Sequence, residues 1–497
     1  VSESDALGEG YLHPPVNLLE MSAKRSYLSE QEVSSLLREL ELKYDLFRHE
    51  VDGYSAWRLL RFWFADSLQN LPLQNALPQW RLLGWFAYYC AKDLPKIIFP
   101  KQARYVVKTC ASALNENRDG YWKDIYFDDV LEEIGDCFKM DVLNSPLFFD
   151  RRKRALIPIS ISTSLPDLLS SLLAATGMPG GISQVTRTIK KDLSSAPGLP
   201  PFNDVAAAFR LRRFYWAKRV YRWLLKCIRP KFVLYEDTGS FSLCAAAQEL
   251  GIKAIEFQHG VFGRHHPAVM HAWALPYKDK LIVQDKLFLY GEYWKSEIAA
   301  NDFYGDKLCV VGSARIDRYR IKRRECKSKG SDGGPYKLLV TTQGFAVSEL
   351  VGMLSRFLSL IPKELDYRLF IKLHPINERD ISLYETLYRG NDRVRVFLGT
   401  ESPSTFDLLA EADLHLSISS ACHYDALGLG VPTVVLALPN HEIVLHLVAS
   451  RQARIAVTPE DIVDIVKECR VITIPPEVSG YYFLPDALPR IKKELAA

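Results

Sequence analysis

Short apolar runs that end in polar or glycine-containing loops recur along this sequence, and each is followed by a helical pattern. Between residues 103 and 260 the runs are ARYVVKTC, ALIPISIS, FVLYEDTGS and KAIEFQHG. Strands that alternate with helices are typical of parallel sheets covered on both faces, because each parallel connection needs a crossover. This part of the chain is therefore predicted to form a doubly wound α/β domain.

A second series of the same kind begins near residue 307. It comprises KLCVVGSAR, YKLLVTTQGF, YRLFIKLHP, VRVFLGT, LHLSISSA and PTVVLAL, and the run DKLIVQDKLFLYGEYW before it is assigned as the first strand of this half. Two doubly wound domains in tandem place their ligand loops at the carboxyl ends of the strands. The predicted fold class is therefore α/β, with two Rossmann-like domains that face each other across a cleft.

The length of 497 residues exceeds a single hydrophobic core, which agrees with at least two domains. The segment SEQEVSSLLRELELKYDLF has apolar positions at helical spacing, so extra helices precede the first sheet. We predict an N-terminal helical region over 1–100, a first Rossmann-like domain over 101–275, a nucleotide-sugar-binding domain over 276–480, and a C-terminal helix over 481–497 that packs back on the first domain.

Cysteine usage and apolar patterning indicate a cytoplasmic protein. The nine cysteines are scattered, odd in number and without a C-x-x-C pair, which suits a reducing compartment. The N-terminal residues VSESDALGEGYLHPP lack the pattern of a signal peptide, and no run of about 18 apolar residues is present. The net charge of +4 is too small to indicate nucleic-acid binding by the whole chain.

The positive charges are unevenly distributed along the chain, and one segment, residues 210–231, is strongly basic. Nine of its residues are Lys or Arg, and aromatic residues lie between them. At helical spacing the aromatic side chains can face the core while the cations face solvent. The same pattern also fits a surface attracted to anionic lipid headgroups or to an acidic glycan. Both interpretations stay open at the level of sequence.

An acidic pair, Glu236 and Asp237, directly follows the predicted strand FVLY. Adjacent carboxyl groups at a strand end can divide the work of an active site, one with a raised pKa and the other ionised as nucleophile or base. Asp237 or Ser240 could instead cap the helix that follows, and the two roles are compatible. We take Glu236 and Asp237 as candidate catalytic residues.

Histidines follow the next predicted strand, KAIEF, in the stretch QHGVFGRHH. His259 precedes a glycine that lets a ligand approach the backbone, and an imidazole can act as acid, base or phosphate partner. It is a further candidate catalytic residue, with a purely structural histidine as the alternative. Arg264 and His265 are candidate acceptor-binding residues. No acid or cysteine stands at ligand spacing from these histidines, so no metal site is predicted.

Two loops of the second half present groups suited to a phosphate. Lys372, His374 and Pro375 close the strand YRLFIK, and the proline stops the strand at the edge of the cleft. Ser419 and Ser420 follow the strand LHLSI at the start of a helix, where free N–H groups favour an anion. The alternatives are an ordinary strand exit and simple helix capping.

Two weaker loops, at Gly312-Ser313 and Gln343-Gly344, also place glycine and polar groups after strands. The chain has neither a G-x-G-x-x-G nor a G-x-x-x-x-G-K-[ST] motif, which argues against a dinucleotide enzyme and a P-loop NTPase. The second domain is therefore interpreted as a binder of a nucleotide phosphate without a P-loop. Its candidate donor-binding residues are Lys372, His374, Pro375, Ser419, Ser420, Gly312, Ser313, Gln343 and Gly344.

In chain order, the elements EDTGS, QHG, GSAR, KLHP and SISSA followed by DALGLGVPT resemble the GT-B glycosyltransferases of bacterial surface polysaccharides. The pattern is most similar to enzymes that use CMP-activated sugars, namely bacterial sialyltransferases and the Kdo (3-deoxy-manno-octulosonate) transferases of capsule and O-antigen assembly. The similarity covers residues 230–440 or so. It implies a GT-B fold and a cytoplasmic, metal-independent glycosyltransferase that uses a CMP-sugar and needs no cofactor.

In those families an acidic motif serves the chemistry, while an HP motif and a paired-serine motif contact the CMP phosphate. The resemblance therefore implies these roles for Glu236 and Asp237, for His374 and Pro375, and for Ser419 and Ser420. The acidic motif departs from the usual D/E-D/E-G, because Thr238 precedes Gly239. CDP-glycerol glycerophosphotransferases of teichoic-acid synthesis are neighbours that share the HG turn, the HP pair and the serine pair.

The resemblance implies transfer of Kdo or a related ulosonic acid to a growing capsule or lipopolysaccharide O-antigen glycan. Stereochemistry stays open between inversion and retention, with Asp237 as the nucleophile if the enzyme retains. The expected partners are the nucleotide-sugar donor and an anionic or lipid-linked glycan acceptor, the latter at the inner face of the plasma membrane. The alternatives are a CDP-glycerol or CDP-ribitol type phosphotransferase and a non-catalytic nucleotide-sugar-binding protein.

Overall fold

The computed structural model describes residues 28–69, 79–143, 149–196, 199–329, 334–375, 377–469 and 474–496. The N-terminal segment that bears on a signal peptide lies outside the described residues. The chain divides into two compact units, and both large sheets lie in the unit that comprises residues 74–176, 213–264 and 282–497.

The described residues of the smaller unit are mainly helical. Helix Glu30–Tyr44 begins with a capping box at Ser29, and helix Ala56–Gln69 follows it. The buried carboxylate of Glu41 accepts hydrogen bonds from Trp57 Nε1 at 2.7 Å and from Arg61 Nε at 2.6 Å. The unit also contains the strands Glu50–Val51 and Tyr54–Ser55, the 3-10 helices Leu46–Arg48 and Ala272–Lys280, and helix Ile182–Leu193.

The first large sheet has seven strands, and every pair is parallel. Its strands are buried along most of their length, which explains why they appear in the sequence as continuous apolar runs. In spatial order they are Leu308–Val310, Lys286–Leu289, Lys253–Phe257, Phe232–Tyr235, Tyr105–Cys110, Cys137–Val142 and Ile161–Ser162.

Strand Cys137–Val142 was not apparent from the sequence, because two of its buried residues are charged. Lys139 forms ion pairs with Asp124, at 3.0 Å, and with Asp128. Asp141 accepts a hydrogen bond from Arg152 Nε at 2.7 Å. Ion pairing allows these charged side chains to be buried in a core strand. A buried strand is recognised in a sequence by its apolar run, and the charged residues interrupt that run here.

The strands Lys286–Leu289 and Leu308–Val310 extend the first sheet, although both were predicted to belong to the second half. Leu287 pairs with Glu256 on one side and with Leu308 on the other, all in parallel register. The first domain therefore continues past residue 275. The C-terminal helix packs in the core of this sheet through Ala487, Ile491 and Leu495.

The second sheet has six parallel strands, of which five belong to the predicted series and the sixth, Arg454–Ala456, was not predicted. Helices Val347–Leu360 and Pro459–Cys469 cover one face, with Leu354, Phe357 and Ile462 in the shared core. In spatial order its strands are Val394–Phe397, Tyr367–Lys372, Tyr336–Thr341, Leu414–Ser417, Thr433–Leu436 and Arg454–Ala456.

Two Rossmann-like parallel α/β domains with additional N-terminal helices confirm the predicted fold class, GT-B. Among the described helices, none combines the length and the apolar character that a membrane crossing requires.

A hairpin, Leu114–Arg118 with Tyr121–Asp124, is inserted after the strand Tyr105–Cys110. The remaining α-helices are Gln79–Ile98, Asp128–Ile134, Phe149–Lys153, Ser164–Ala175, Asp204–Ile228, Phe241–Glu249, Glu292–Ala299, Ala314–Lys329, Glu385–Tyr388, Thr405–Glu411, Cys422–Gly428, Leu445–Ala449, Pro476–Tyr482 and Ala487–Ala496. The remaining 3-10 helices are Ala111–Ala113, Gly305–Lys307, Ile381–Tyr384 and His441–Val444.

Candidate active site

A cavity of about 710 Å³ lies where loops of the two sheets meet. The second sheet contributes residues that follow four of its strands, among them Gln343, His374, Thr400 and Ser420. The first sheet contributes the inserted hairpin and the helix Ala314–Lys329. The cavity therefore lies at the carboxyl ends of strands, where open α/β sheets bind ligands.

The His374-Pro375 loop is held against its neighbours by backbone contacts. The His374 N–H group donates to Thr342 Oγ1 at 3.2 Å, and His374 Nδ1 accepts from the Asn377 N–H group at 3.1 Å. Burial lowers the pKa of His374, although Glu378 raises it, so the ring is predominantly neutral at pH 7. Gly399 passes so close that an added Cβ would lie 2.4 Å from Pro375 Cα. Both His374 and Pro375 line the cavity.

The two serines of the SISSA loop have different surroundings. The Ser419 N–H group donates to Gln343 Oε1 at 3.0 Å, and Gln343 Nε2 donates to Ser419 Oγ at 3.2 Å. Ser419 thus positions the Gln343 side chain, which lines the cavity. Ser420 lines the cavity itself, and its hydroxyl accepts from the Cys422 N–H group at 3.2 Å.

Lys372 is buried, at 1% exposure, and its ammonium group donates to three backbone carbonyl groups. These belong to Leu398 and Glu401, each at 2.7 Å, and to Pro403 at 2.8 Å. Burial lowers the pKa of Lys372 to about 8. The three contacts use all of its donors and shape the loop of residues 398–403, part of which lines the cavity.

Glu236 is almost fully buried, at 2% exposure, directly after the strand Phe232–Tyr235. Its Oε1 atom accepts from the Cys110 N–H group at 2.8 Å, and its Oε2 atom has no hydrogen-bond partner among the described residues. Burial raises the pKa of Glu236 to about 7, and the negative charges of Asp124 and Asp237 add to this effect. Glu236 can therefore gain or lose a proton near neutral pH.

Asp237, the next residue, lies in an environment that favours its charge. Its side chain is 49% exposed, and its Oδ2 atom lies 3.5 Å from Nζ of Lys108, which also donates to Ser240 Oγ at 2.8 Å. The Gly239 N–H group donates to Asp237 Oδ1 at 2.8 Å. Burial raises the pKa of Asp237, but Lys108, the Gly239 N–H group and His259 lower it more, so the net shift is downward.

His259 lies near Asp237, and the two residues interact electrostatically. Burial lowers the pKa of His259, although Asp237 raises it. Its Nδ1 atom is buried and has no hydrogen-bond partner within the described part of the chain. The preceding Gln258 supports this loop, because its amide donates to the Gly260 carbonyl and accepts from the Tyr290 N–H group.

Glu236, Asp237 and His259 do not line the cavity, but two tyrosines connect Glu236 with it electrostatically. Tyr126 and Tyr290 both interact with Glu236, and both also interact with Arg315, a cavity residue. The hairpin that lines the cavity follows the strand Tyr105–Cys110, whose last residue donates its N–H group to Glu236.

The remaining candidate residues lie outside the cavity lining. Gly312 contacts the C-terminal segment, since a Cβ there would lie 2.2 Å from the Leu484 carbonyl oxygen. Ser313 Oγ accepts from the Ile316 N–H group at 3.4 Å, and Gly344 packs against Asn377. Arg264 forms an ion pair with Glu297 at 2.7 Å, and His265 belongs to the smaller compact unit.

Several site residues were missed because they lie in strands, hairpins and helices rather than in strand-end loops. Lys108 is inside the strand Tyr105–Cys110, and Glu116 is in the inserted hairpin. Arg315 is the last residue of GSAR, and Arg318 is one turn further along the same helix, Ala314–Lys329. Both form ion pairs with Glu116 at the cavity wall. The GSAR element was the available signal for Arg315, although only its glycine and serine fit the pattern of a strand-end phosphate loop.

The basic helix is one of the alternatives that the sequence left open. In the basic helix, Phe214 and Tyr221 are buried, whereas Trp223 is 44% exposed. Of the nine cations of residues 210–231, six are exposed, two are half-buried and Lys218 is buried. Within the described residues, no group of three or more His, Cys, Asp or Glu side chains is placed to hold a metal ion.

Comparison with known proteins gives matches among solved structures only. No protein-family model and no curated protein matches the sequence. Among solved structures, the UDP-GlcNAc 2-epimerase of Neisseria meningitidis matches with a TM-score of 0.45 and 14% identity, over 79% of this chain and 99% of that chain. MurG of Acinetobacter baumannii matches with a TM-score of 0.42 and 14% identity, over 80% and 99%. The wall teichoic acid polymerase TagF matches with a TM-score of 0.43 and 11% identity, over 85% and 99%.

Proposed function

We propose that this chain is a glycosyltransferase that moves Kdo or a related ulosonic acid from a CMP-activated donor to a growing bacterial surface glycan. The observation that carries the proposal is the contrast between Glu236 and Asp237. One carboxyl group titrates near neutral pH and its neighbour is held ionised, at the edge of a sheet whose loops border the cavity. Carboxyl pairs of this kind serve glycosyl transfer.

The cavity supplies groups that suit the leaving CMP phosphate. His374, Gln343 and Ser420 line the wall that belongs to the second sheet, and each carries a side chain able to donate a hydrogen bond. When the bond between the anomeric carbon and the phosphate oxygen breaks, its electron pair passes to that oxygen. Donors placed around the phosphate stabilise this charge. A CMP donor carries one phosphate, so no metal ion is needed to bridge two.

The acidic pair provides the two roles that retention of configuration requires. The ionised Asp237 attacks the anomeric carbon and forms a covalent glycosyl-enzyme intermediate as CMP leaves. The acceptor hydroxyl then attacks the same carbon, its proton passes to a base, and the bond to Asp237 breaks. Glu236, with a pKa of about 7, is suited to take that proton. In an inverting enzyme the acceptor would attack directly, and Asp237 would serve as the base.

An anionic or lipid-linked glycan is the acceptor class that we associate with this site, at the inner face of the bacterial plasma membrane. Exposed cations support this assignment, since the basic helix Asp204–Ile228 carries Arg213 and Arg222, whose side chains are 45% and 46% exposed. Arg264 is similarly exposed, at 47%, beside Glu297.

Thermal stabilisation by nucleotides tests the donor, and Asp237→Asn tests the chemistry. We expect CMP to raise the unfolding temperature more than CDP, UDP or GDP does. We expect the wild-type protein to transfer Kdo from CMP-Kdo to an isolated glycan acceptor and Asp237→Asn to lose this activity while still binding CMP. Stabilisation by UDP or GDP but not CMP would contradict the donor, and unchanged turnover by Asp237→Asn would contradict the acidic pair.

A second candidate is transfer of an alcohol phosphate from a CDP-activated donor, and His259 is the observation that favours it. A neutral imidazole with a buried, unpartnered Nδ1 atom could deprotonate an acceptor hydroxyl in place of a carboxylate. This activity would require stabilisation by CDP-glycerol but not by CMP-Kdo. It would also make His259→Ala more damaging than Asp237→Asn, which is the reverse of what glycosyl transfer predicts.

A further inference from the structure

Arg315 lies in the first turn of helix Ala314–Lys329 and has a fixed orientation at the cavity wall. Its Nε atom donates to Glu116 Oε1 at 2.7 Å. The guanidinium carbon lies 3.6 Å from the centre of the Phe406 ring, so the planar group stacks on an aromatic face. An ion pair at one edge and a ring against one face leave the guanidinium little freedom to rotate.

The outer edge of the same guanidinium is unused. Neither terminal nitrogen of Arg315 donates a hydrogen bond to a residue in the described part of the chain. The neighbouring Arg318 differs, because its terminal nitrogen donates to Glu116 and its Nε lies 3.2 Å from Asp129. Two parallel N–H groups at the edge of a fixed guanidinium match the two oxygens of a carboxylate or phosphate.

Arg315 and the groups suited to the phosphate reach the cavity from different sheets. The polar groups suited to the phosphate, His374 and Ser420, lie in strand-end loops of the second sheet. Arg315 follows the edge strand of the first sheet. Its partner Glu116 lies in the hairpin after the strand Tyr105–Cys110, and the Cys110 N–H group donates to Glu236. A sugar held between the phosphate groups and the acidic pair would therefore present its substituents to Arg315.

We propose that Arg315 binds the carboxylate of the donor's ulosonic acid through its two terminal nitrogens and thereby selects an acidic sugar. This inference rests on the proposed function, because it assumes that the donor is a CMP-activated sugar acid. The role is one of substrate recognition: Arg315 fixes the anomeric carbon relative to Asp237, and it forms no bond with the reacting atoms. The residue was outside the candidate site defined by sequence.

The test compares Arg315→Gln and Arg315→Lys with Arg324→Gln, which removes an exposed cation from the same helix at a position outside the cavity. Two constants are measured for each protein, namely KM for CMP-Kdo and the inhibition constant of CMP, which lacks the sugar carboxylate. Loss of a charge-assisted pair of hydrogen bonds should raise KM about 10- to 100-fold in Arg315→Gln. The inhibition constant of CMP should change less than about threefold.

Arg315→Lys keeps the charge but not the paired geometry, so its KM should lie between those of the wild type and Arg315→Gln. Arg324→Gln should match the wild type in both constants. Equal increases in KM and in the CMP inhibition constant would overturn the proposal, because Arg315 would then bind the phosphate. An unchanged KM in Arg315→Gln would also overturn it. A wild-type protein that neither uses CMP-Kdo nor binds CMP would instead refute the proposed function, and this inference with it.

Discussion

Glu236 and Asp237 are consecutive residues after one strand, yet their carboxyl groups lie in opposite environments. Glu236 is 2% exposed, whereas the Asp237 side chain is 49% exposed and lies 3.5 Å from Lys108 Nζ. Burial raises the pKa of Glu236 to about 7. Burial also acts on Asp237, but Lys108 and nearby donors outweigh it and lower the pKa of this residue. The strand end thus separates two chemically identical groups into an ionised and a titrating carboxyl.

The raised pKa of Glu236 predicts a stability difference that depends on pH. The pKa of about 7 in the folded protein exceeds the ordinary value of 4.5. The stability that Glu236 contributes to the folded state is therefore fully present below about pH 4.5 and is lost as the pH rises through about 7. Glu236→Gln cannot ionise, and we expect it to exceed the wild type in stability by about 3 kcal/mol at about pH 8.5 and by much less at about pH 5. Denaturant unfolding at both pH values measures this.

The exposed residue Glu364 offers a matched control for that experiment. Glu364→Gln removes the same carboxylate from a solvated position, so it should follow the wild-type pH dependence. Parallel stability curves for Glu236→Gln and the wild type would show that Glu236 is ionised without cost, which contradicts its raised pKa.

We expect Lys108 to set the position of the acidic limb of the pH–rate profile. It lowers the pKa of Asp237, so its loss should raise that pKa and leave less ionised carboxylate at mildly acidic pH. We expect Lys108→Met to shift the acidic limb of kcat/KM to higher pH, and Lys108→Arg to restore part of the wild-type profile. Asp237→Asn should lower kcat by about 100-fold or more at every pH. A Lys108→Met profile with a uniform loss and no shift would contradict an electrostatic role.

The fold class could be predicted because buried parallel strands have a direct sequence signal. Runs such as FVLY and YRLFIK are apolar and end at polar loops, and each is a strand in the structure. The strand Cys137–Val142 could not be recognised, because Lys139 and Asp141 are stabilised by ion partners from other segments. No local pattern shows that a charged residue will meet a distant partner.

The candidate site was predictable to a similar extent. Residues that follow strands, such as His374 and Ser420, line the cavity because strand ends of a parallel sheet share one edge. Lys108 and Arg315 were missed, since a lysine inside a strand and an arginine in a helix have many ordinary roles. The sequence pattern does not show which strands will pair with each other. It therefore could not assign the strands Lys286–Leu289 and Leu308–Val310 to the first sheet.

We predict that the buried ammonium group of Lys372 maintains a wall of the cavity. Its three contacts hold the carbonyl groups of Leu398, Glu401 and Pro403, and Lys372→Met would leave these acceptors without a donor. We expect a loss of about 2–4 kcal/mol in unfolding free energy and a smaller thermal shift with CMP. The exposed Lys363 provides the control, since Lys363→Met should change neither quantity. Wild-type stability and CMP response in Lys372→Met would contradict this role.

A substitution at Gly399 gives a steric test of the same cavity wall, because it removes no functional group. An added Cβ would lie 2.4 Å from the Leu373 carbonyl oxygen and from Cα and N of Pro375, all of them backbone atoms that cannot rotate away. We expect Gly399→Ala to displace the His374-Pro375 loop, to cost about 1–3 kcal/mol, and to weaken CMP binding. Gly352 lies inside helix Val347–Leu360 with open space around it, so Gly352→Ala should stabilise the protein by about 0.5–1 kcal/mol and leave CMP binding unchanged. Equal CMP affinity in the two variants would show that the close contact at Pro375 does not position the cavity wall.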